Sequence, residues 1–326
     1  MIDTARRNRR LLAASASLAV FVCGVAGLSA QGKQFVPVGT LPLHAESVEL
    51  EDGLAYVAAG RTLTVFDVSN PASPKRLGAH TFPEEIWSFR LQGRMAYVGV
   101  NFFGLGILDL SNPSSPVLRG SYKTPGQAKT GAVFGNRALV VDHMEGIVEV
   151  DISNPSKPSS PGSFFLDGYA RDVVASGSLA FAVDSPTGLY VFDLAKPGPL
   201  EPIATLQNGT ALRTVEVTSG DGPRLAVLVG GGTLQTYDLS DPARPVRLSA
   251  YKTPGGAQRV ALNGRLTYVA DGAAGLQIVD LSKPDAPVIV GAHKTPTAAR
   301  DVAAAGGLVL VAVADGDVII LRETSK

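Results

Sequence analysis

One figure of about 42 residues recurs along this chain, and a repeat of that length restricts the fold more than any local motif does. In its clearest copy, GLQIVDLSKPDAPVIVGAHKTP from Gly275, an apolar strand ends on Asp280, Ser282-Lys283-Pro284 breaks it, and Pro287 opens a second strand. Proline cannot donate to a ladder, so it belongs between strands or at their starts. The marking carboxylates are Asp67, Asp109, Asp151, Asp193, Asp238 and Asp280, at spacings of 42, 42, 42, 45 and 42. A fixed period in this range is the signature of a propeller or a solenoid.

Each period holds four strand-like pieces. In the sixth copy they are Arg259–Ala261, Leu266–Ala270, Gly275–Asp280 and Val288–His293. Asn263-Gly264 joins the first two, a hairpin signal whose central residues are expected at positive φ. Related pairs stand at Asp52-Gly53, Gln92-Gly93, Gly135-Asn136, Ser176-Gly177 and Gly306-Gly307. The count gives an all-β fold, a seven-bladed β-propeller with four-stranded blades. The last copy lacks a fourth strand, and the N-terminus has one to spare, Phe35–Leu41. Gly39 there falls in register with Gly78, Gly120, Gly162 and Gly291. The first strand is therefore expected to pair with Asp317–Arg322 and close the ring, which a solenoid would not do. Residues 31–326 number 296, close to seven periods.

Residues 1–30 read as a signal peptide. Arg6, Arg7, Arg9 and Arg10 precede an apolar run over 11–28 that ends in small residues. The alternative is an uncleaved anchor, since that run could just span a bilayer; its Ala, Ser and Gly content favours cleavage. Arg9-Arg10-Leu11-Leu12 resembles a twin-arginine export motif. The single cysteine, Cys23, falls in this segment, so residues 31–326, read as one propeller domain, have no thiol. Balanced charge, 29 acidic against 29 basic residues, argues against a nucleic-acid partner.

The repeated Asp-x-Ser-Asn-Pro invites a calcium reading, but calcium needs six to eight converging oxygens, and successive aspartates lie on different blades. Such side chains commonly bond their own backbone two residues on, which makes a turn device the expected role. His80 and His293 share one fourth-strand position and read as surface residues; His143 follows Asp142 in an inter-strand loop. No nucleophile elbow or zinc-protease motif is present, and Gly230-Gly231-Gly232 lacks the lysine of a phosphate loop. Neither a cofactor nor a metal site is expected.

Function should sit where repeat symmetry breaks. Alignment of the inner strands places Glu46, Trp87, Lys129, Arg171, Arg213, Gln258 and Arg300 in one ring at the channel mouth. Ser47, Ser88, Thr130, Asp172, Thr214, Arg259 and Asp301 form the next ring, with Asn101, Asp142, Asp184 and Asp271 on nearby loops. The candidate ligand-binding residues are Trp87, Lys129, Arg171, Asp172, Arg213, Arg259, Arg300 and Asp301. So many cations favour an anionic ligand. The competing reading is a structural ring in which Arg171, Asp172, Arg300 and Asp301 neutralise neighbouring blades. Trp87 reads equally as a binding platform or as filler.

The repeats also resemble a known family. Leu276-Gln277-Ile278-Val279-Asp280 is similar to the LVIVD repeat, and the downstream Ser-x-Pro-x-x-Pro and upstream Ala-Arg-Asp-Val, at Ala170–Val173 and Ala299–Val302, fit the same pattern. The resemblance covers residues 35–322, with blades two and five divergent. It implies a bacterial or archaeal β-propeller, exported or at the cell surface, and no established reaction. The expectation is an exported, periplasmic, secreted or cell-surface monomer with no membrane span in the mature chain. It is a non-catalytic scaffold binding a protein, a glycan or a small anionic ligand through the channel mouth. The alternative is a hydrolase or lyase in the channel using Asp172, Asp301, Glu46 and the arginines; carboxylates converging on His143 would favour it.

Overall fold

The inner hairpin turns show how glycine placement sets the strands. In a computed structural model describing residues 33–324, except 187, 197, 208 and 219–223, Asp52-Gly53 and Gly306-Gly307 take positive φ at both positions. That is the type I′ turn, whose twist matches the flanking strands. The Asn263-Gly264 turn differs from expectation. The strands end at Asn263 and resume at Leu266, so Gly264-Arg265 is the central pair and only Gly264 is at positive φ, 61°. Glycine at the first central position is the type II′ pattern, and Gly93, Gly135 and Gly177 repeat it.

These hairpins build seven antiparallel four-stranded sheets. Blade 1 runs through Ser47–Glu51, Leu54–Ala59, Thr62–Asp67 and Lys75–Thr81, and blades 2 to 6 follow the same order. Blade 7 consists of Ala299–Ala305, Leu308–Val313, Val318–Thr324 and, as its outermost strand, Gln34–Leu41. The N-terminal strand therefore closes the ring. Its register runs from Gln34 opposite Thr324 to Leu41 opposite Val318, two residues beyond the expected end at Arg322. A Lys33–Glu323 ion pair holds the seam. Among the described residues no helix is long and apolar enough to cross a membrane. The export segment lies outside the described residues.

Apolar residues on both faces of each blade bury against its two neighbours. Tyr56, Leu63 and Val65 of blade 1 pack with Phe89, Val98 and Val100 of blade 2, and Leu41, Val318 and Ile320 of blade 7 pack with Val57 and Phe66 of blade 1. Comparable clusters fill the other interfaces. Burial on both faces is why these strands read as near-continuous hydrophobic runs.

The repeated glycine and proline form one device. A Cβ on Gly39 would sit 1.8 Å from the Pro71 carbonyl oxygen of blade 1, one on Gly78 2.5 Å from that of Pro113, and one on Gly120 2.0 Å from that of Pro155. In these three copies the fourth strand lies against the outer-turn proline of the next blade, an approach closer than a Cβ would allow; Gly162 meets nothing within 4 Å, and Gly291 lies against the Lys33 carbonyl instead. Where the position is Ser249, the Thr236 hydroxyl lies 2.7 Å from its Oγ and donates to the Pro284 carbonyl at 2.6 Å. The outer-turn aspartates serve those turns: the amides of Ser69, Ser111, Ser153, Ala195, Ser240 and Ser282 donate to the carboxylates two residues earlier at 2.7–3.0 Å. The turn reading is what the geometry shows at all six repeats. His80 and His293 are half-buried, and His80 meets the Phe82 ring at 4.8 Å.

Candidate functional site

The mouth ring is built from β-bulges. In blades 2, 4, 5 and 7 the inner strand loses register between Ile86 and Ser88, Ala170 and Asp172, Leu212 and Thr214, and Ala299 and Asp301. The residues skipped are Trp87, Arg171, Arg213 and Arg300. In blade 3 the shift lies between Ala128 and Gly131, taking in Lys129. A bulge sets two residues against one and re-aims the extra side chain. Buried neighbours such as Ile86, Ala128, Ala170, Leu212 and Ala299 anchor each bulge. Glu46 and Gln258 stand just before their strands, their amides donating to Ala58 and Ala270.

The candidate set divides by depth. Trp87, Arg213 and Arg300 are exposed, Arg171 is half-buried and Lys129 is 9% exposed. Among the described residues, none of Lys129, Arg171, Arg213 and Arg300 forms an ion pair with a carboxylate. Glu46 accepts from the Gly60 amide at 3.0 Å.

One level down, Asp172 and Asp301 tie adjacent inner strands together. Asp172 accepts from the Val173 amide at 3.0 Å, from Val215 of blade 5 at 3.4 Å and from the Thr214 hydroxyl. Asp301 accepts from Val302 at 2.9 Å and from Val48 of blade 1 at 3.1 Å. Arg259 lies 3.6 Å from Asp172 and 3.9 Å from Asp301. The aspartates are therefore paired, but with Arg259 and Arg90 rather than with Arg171 and Arg300. Ser47, Ser88 and Thr214 are buried beside them.

Sequence reasoning missed a third level. Arg90 reaches across the channel to Glu49 at 3.2 Å, Glu216 at 3.4 Å and Asp172 at 3.7 Å. The signal was available: charges stand where the other inner strands carry Ala132, Val174, Ala261 and Ala303, two residues past the second ring. Four carboxylates thus meet two guanidiniums. Burial opposes the Arg90 charge, yet Asp172, Glu216, Glu49 and Asp301 together hold it well above the ordinary arginine value. Burial raises Glu49, with Arg90 opposing. Burial also pushes Glu216 up to about 7, again against Arg90 and reinforced by Asp172 and Glu49. Beyond this plug lies a cavity of about 240 Å³ lined by Glu49, Leu50, Arg90, Glu216, Thr218 and Arg259.

Asp142, Asp184 and Asp271, candidates on nearby loops, are fully buried clamps. Asp142 accepts from the amides of Gly126, Met144 and Glu145 at 2.8–3.0 Å, Asp184 from Gly168 and Gly188, and Asp271 from Gly255. No group of three or more His, Cys, Asp or Glu with metal-binding geometry occurs among the described residues. His143 stands apart from the channel carboxylates, its ring 6.0 Å from that of Tyr169.

One sector of the mouth is distinctive. Trp87, Phe102, Met144, Phe165 and Tyr169 are 43–68% exposed, all on loops or strand starts of blades 2 to 4 at the mouth end. The other exposed large apolar residues, Val36, Val117, Val246 and Val288, lie singly on outer strands. Within the sector the Lys129 ammonium sits 5.0 Å from the Trp87 ring centroid.

Among solved structures, a Myceliophteria thermophila Cps50 (Swd1) β-propeller domain is similar over 89% of this chain and all of its own, at 13% identity and a TM-score of 0.72. A chain of a mitotic checkpoint complex is similar over 98% of this chain and 99% of its own, at 12% identity and a TM-score of 0.67. A computationally designed protein, Ika8, matches over 88% and 99%, at 9% identity and a TM-score of 0.62. At such identities the likeness is of fold alone. No curated protein matches the chain. The LVIVD repeat matches residues 44–80, 86–124, 125–165, 167–200 and 254–295. Blade 2, expected to be divergent, is among them; residues 201–253, chiefly blade 5, are not. With more than half its length so matched, the chain belongs to the LVIVD repeat family.

Proposed function

We propose that this protein is an exported, non-catalytic scaffold that captures an anionic partner at its channel mouth. The observation that carries the reading is the division of charge by depth. The inner arginines, Arg90 and Arg259, are committed to carboxylates, whereas Lys129, Arg171, Arg213 and Arg300 ring the mouth against a single acid, Glu46. A symmetric ring needs no such residues for stability, and loops or strand ends on a rigid scaffold are where binding groups collect. A hydrolytic site receives less support, because Asp172 and Asp301 are spent on backbone amides and guanidiniums and His143 does not join them. Export rests on the basic and apolar N-terminal segment, in agreement with what the family resemblance implies, and N-terminal sequencing of the mature protein checks it.

The test is a binding screen against acidic oligosaccharides, acidic peptides and small carboxylates, followed by titration of variants. Arg171→Ala and Arg300→Ala should each weaken binding by about 1.5–3 kcal/mol, roughly 10- to 150-fold, at unchanged melting temperature. Full-strength binding in both variants would place the site elsewhere.

A further inference from the structure

We propose that Lys129 is a site of covalent capture, its ε-amine condensing with the carbonyl carbon of a small 2-oxo carboxylate whose anionic end is held by Arg171. The inference rests on the reading of the mouth as an anion site and specifies its ligand class.

Lysine is almost never buried without a partner. Lys129 is 9% exposed, on the bulge of blade 3, and no described carboxylate lies within ion-pair distance. Asp142, the acid of its own blade, already accepts three backbone amides. Arg171 adds a like charge nearby, and burial followed by Arg171 pushes the Lys129 amine down to about 8. His143 belongs to the same cluster: burial, Lys129 and Arg171 lower it against the opposing Asp142, which favours the neutral imidazole. A desolvated lysine beside another cation is how an amine nucleophile is activated. With a value near 8, ~10% of the amine is free base at pH 7, against ~0.04% for an ordinary lysine. The Trp87 face, 5.0 Å away, favours a cation and so limits the fall; it would equally stabilise the iminium product.

The chemistry balances without a redox partner. The nitrogen lone pair adds to the carbonyl carbon and a proton passes from nitrogen to oxygen, giving a carbinolamine. The nitrogen lone pair then expels the protonated hydroxyl as water. Amine and carbonyl become imine and water, and hydrolysis reverses the step.

The experiment uses the full-length protein with glyoxylate as probe, cyanoborohydride to trap the imine, and peptide mapping by mass spectrometry. The expected result is an adduct at Lys129 at least ten times faster than at the exposed Lys123, Lys252 and Lys294, with the rate half-maximal near pH 8. Glycolate, the same anion without the carbonyl, should slow it by competition, and Lys129→Met should abolish it. Should that variant fail to fold, mapping of the unmodified chain still decides. Labelling of Lys129 no faster than that of the surface lysines overturns the proposal. Glycolate binding at the mouth with no adduct would sink covalent capture and leave the anion reading standing, whereas a selective adduct that glycolate does not slow would remove the anion reading.

Discussion

Arg90→Met tests whether the channel plug is an electrostatic device. The guanidinium touches Glu49, Glu216 and Asp172 from three different blades, and methionine keeps most of the stem while removing the charge. Breaking a buried ion pair from one side costs about 3–5 kcal/mol, because the stranded charges remain. Arg90 and its glutamate partners retain 20–27% side-chain exposure towards the channel, which argues for the lower end, about 3 kcal/mol. At about 2.1 cal/mol/K per residue, unfolding a domain of this size carries roughly 0.6 kcal/mol/K, so the loss corresponds to about 5 °C in melting temperature. The penalty should depend on pH. Glu216 sits near 7 when folded, against 4.5 as its ordinary value. A carboxyl whose folded value is raised binds more protons in the native state, so stability falls as pH rises from about 4.5 to about 7. Without Arg90 the carboxylates rise further, and the variant should lose more at pH 8 than at pH 5.5, where Glu216 takes up a proton and removes one stranded charge. Calorimetry at the two pH values is the assay. Equal losses at both, or none at pH 8, would refute the claim that Arg90 holds uncompensated carboxylates together.

Gly39→Ala should cost about 1–3 kcal/mol by overpacking the Pro71 carbonyl, while Gly162→Ala, whose Cβ would meet nothing within 4 Å, should stay within about 0.5 kcal/mol; equal melting curves would dismiss the interlock. Asp280→Ala removes the bond to the Ser282 amide and should cost about 1 kcal/mol without changing mouth binding; a chelator that lowered the melting temperature of the wild type, with calcium restoring it, would favour a metal role instead. Deleting residues 33–41 exposes the Val318–Thr324 edge, and light scattering should register aggregation; a monomeric deletion variant with unchanged melting would contradict closure by that strand. Arg259→Ala should behave inversely to Arg300→Ala, losing stability through Asp172 and Asp301 while keeping the mouth cations.

The period, the number of blades and the closing strand were all legible in the residues. A repeat prints the same local demands again and again: a turn glycine in each blade and, six times, a strand-ending carboxylate followed by a proline that cannot sit within a ladder. It also named the mouth residues, because symmetry visibly fails at Trp87, Lys129 and Arg171. Tertiary structure alone decided which of those residues are free. Asp172 and Arg259 look like ligand groups in sequence, yet the ring brings the amide of Val215 and the carboxylate of Asp301 to them from other blades. Arg90, in an ordinary strand position, finds its partners 41 and 126 residues away. Pairing across a channel depends on which blades face one another, and closure sets that distance. The matched glycine and proline show the same division. Both recur in the sequence, but only packing shows that Gly39, Gly78 and Gly120 accommodate the proline of the next blade while Gly162 does not.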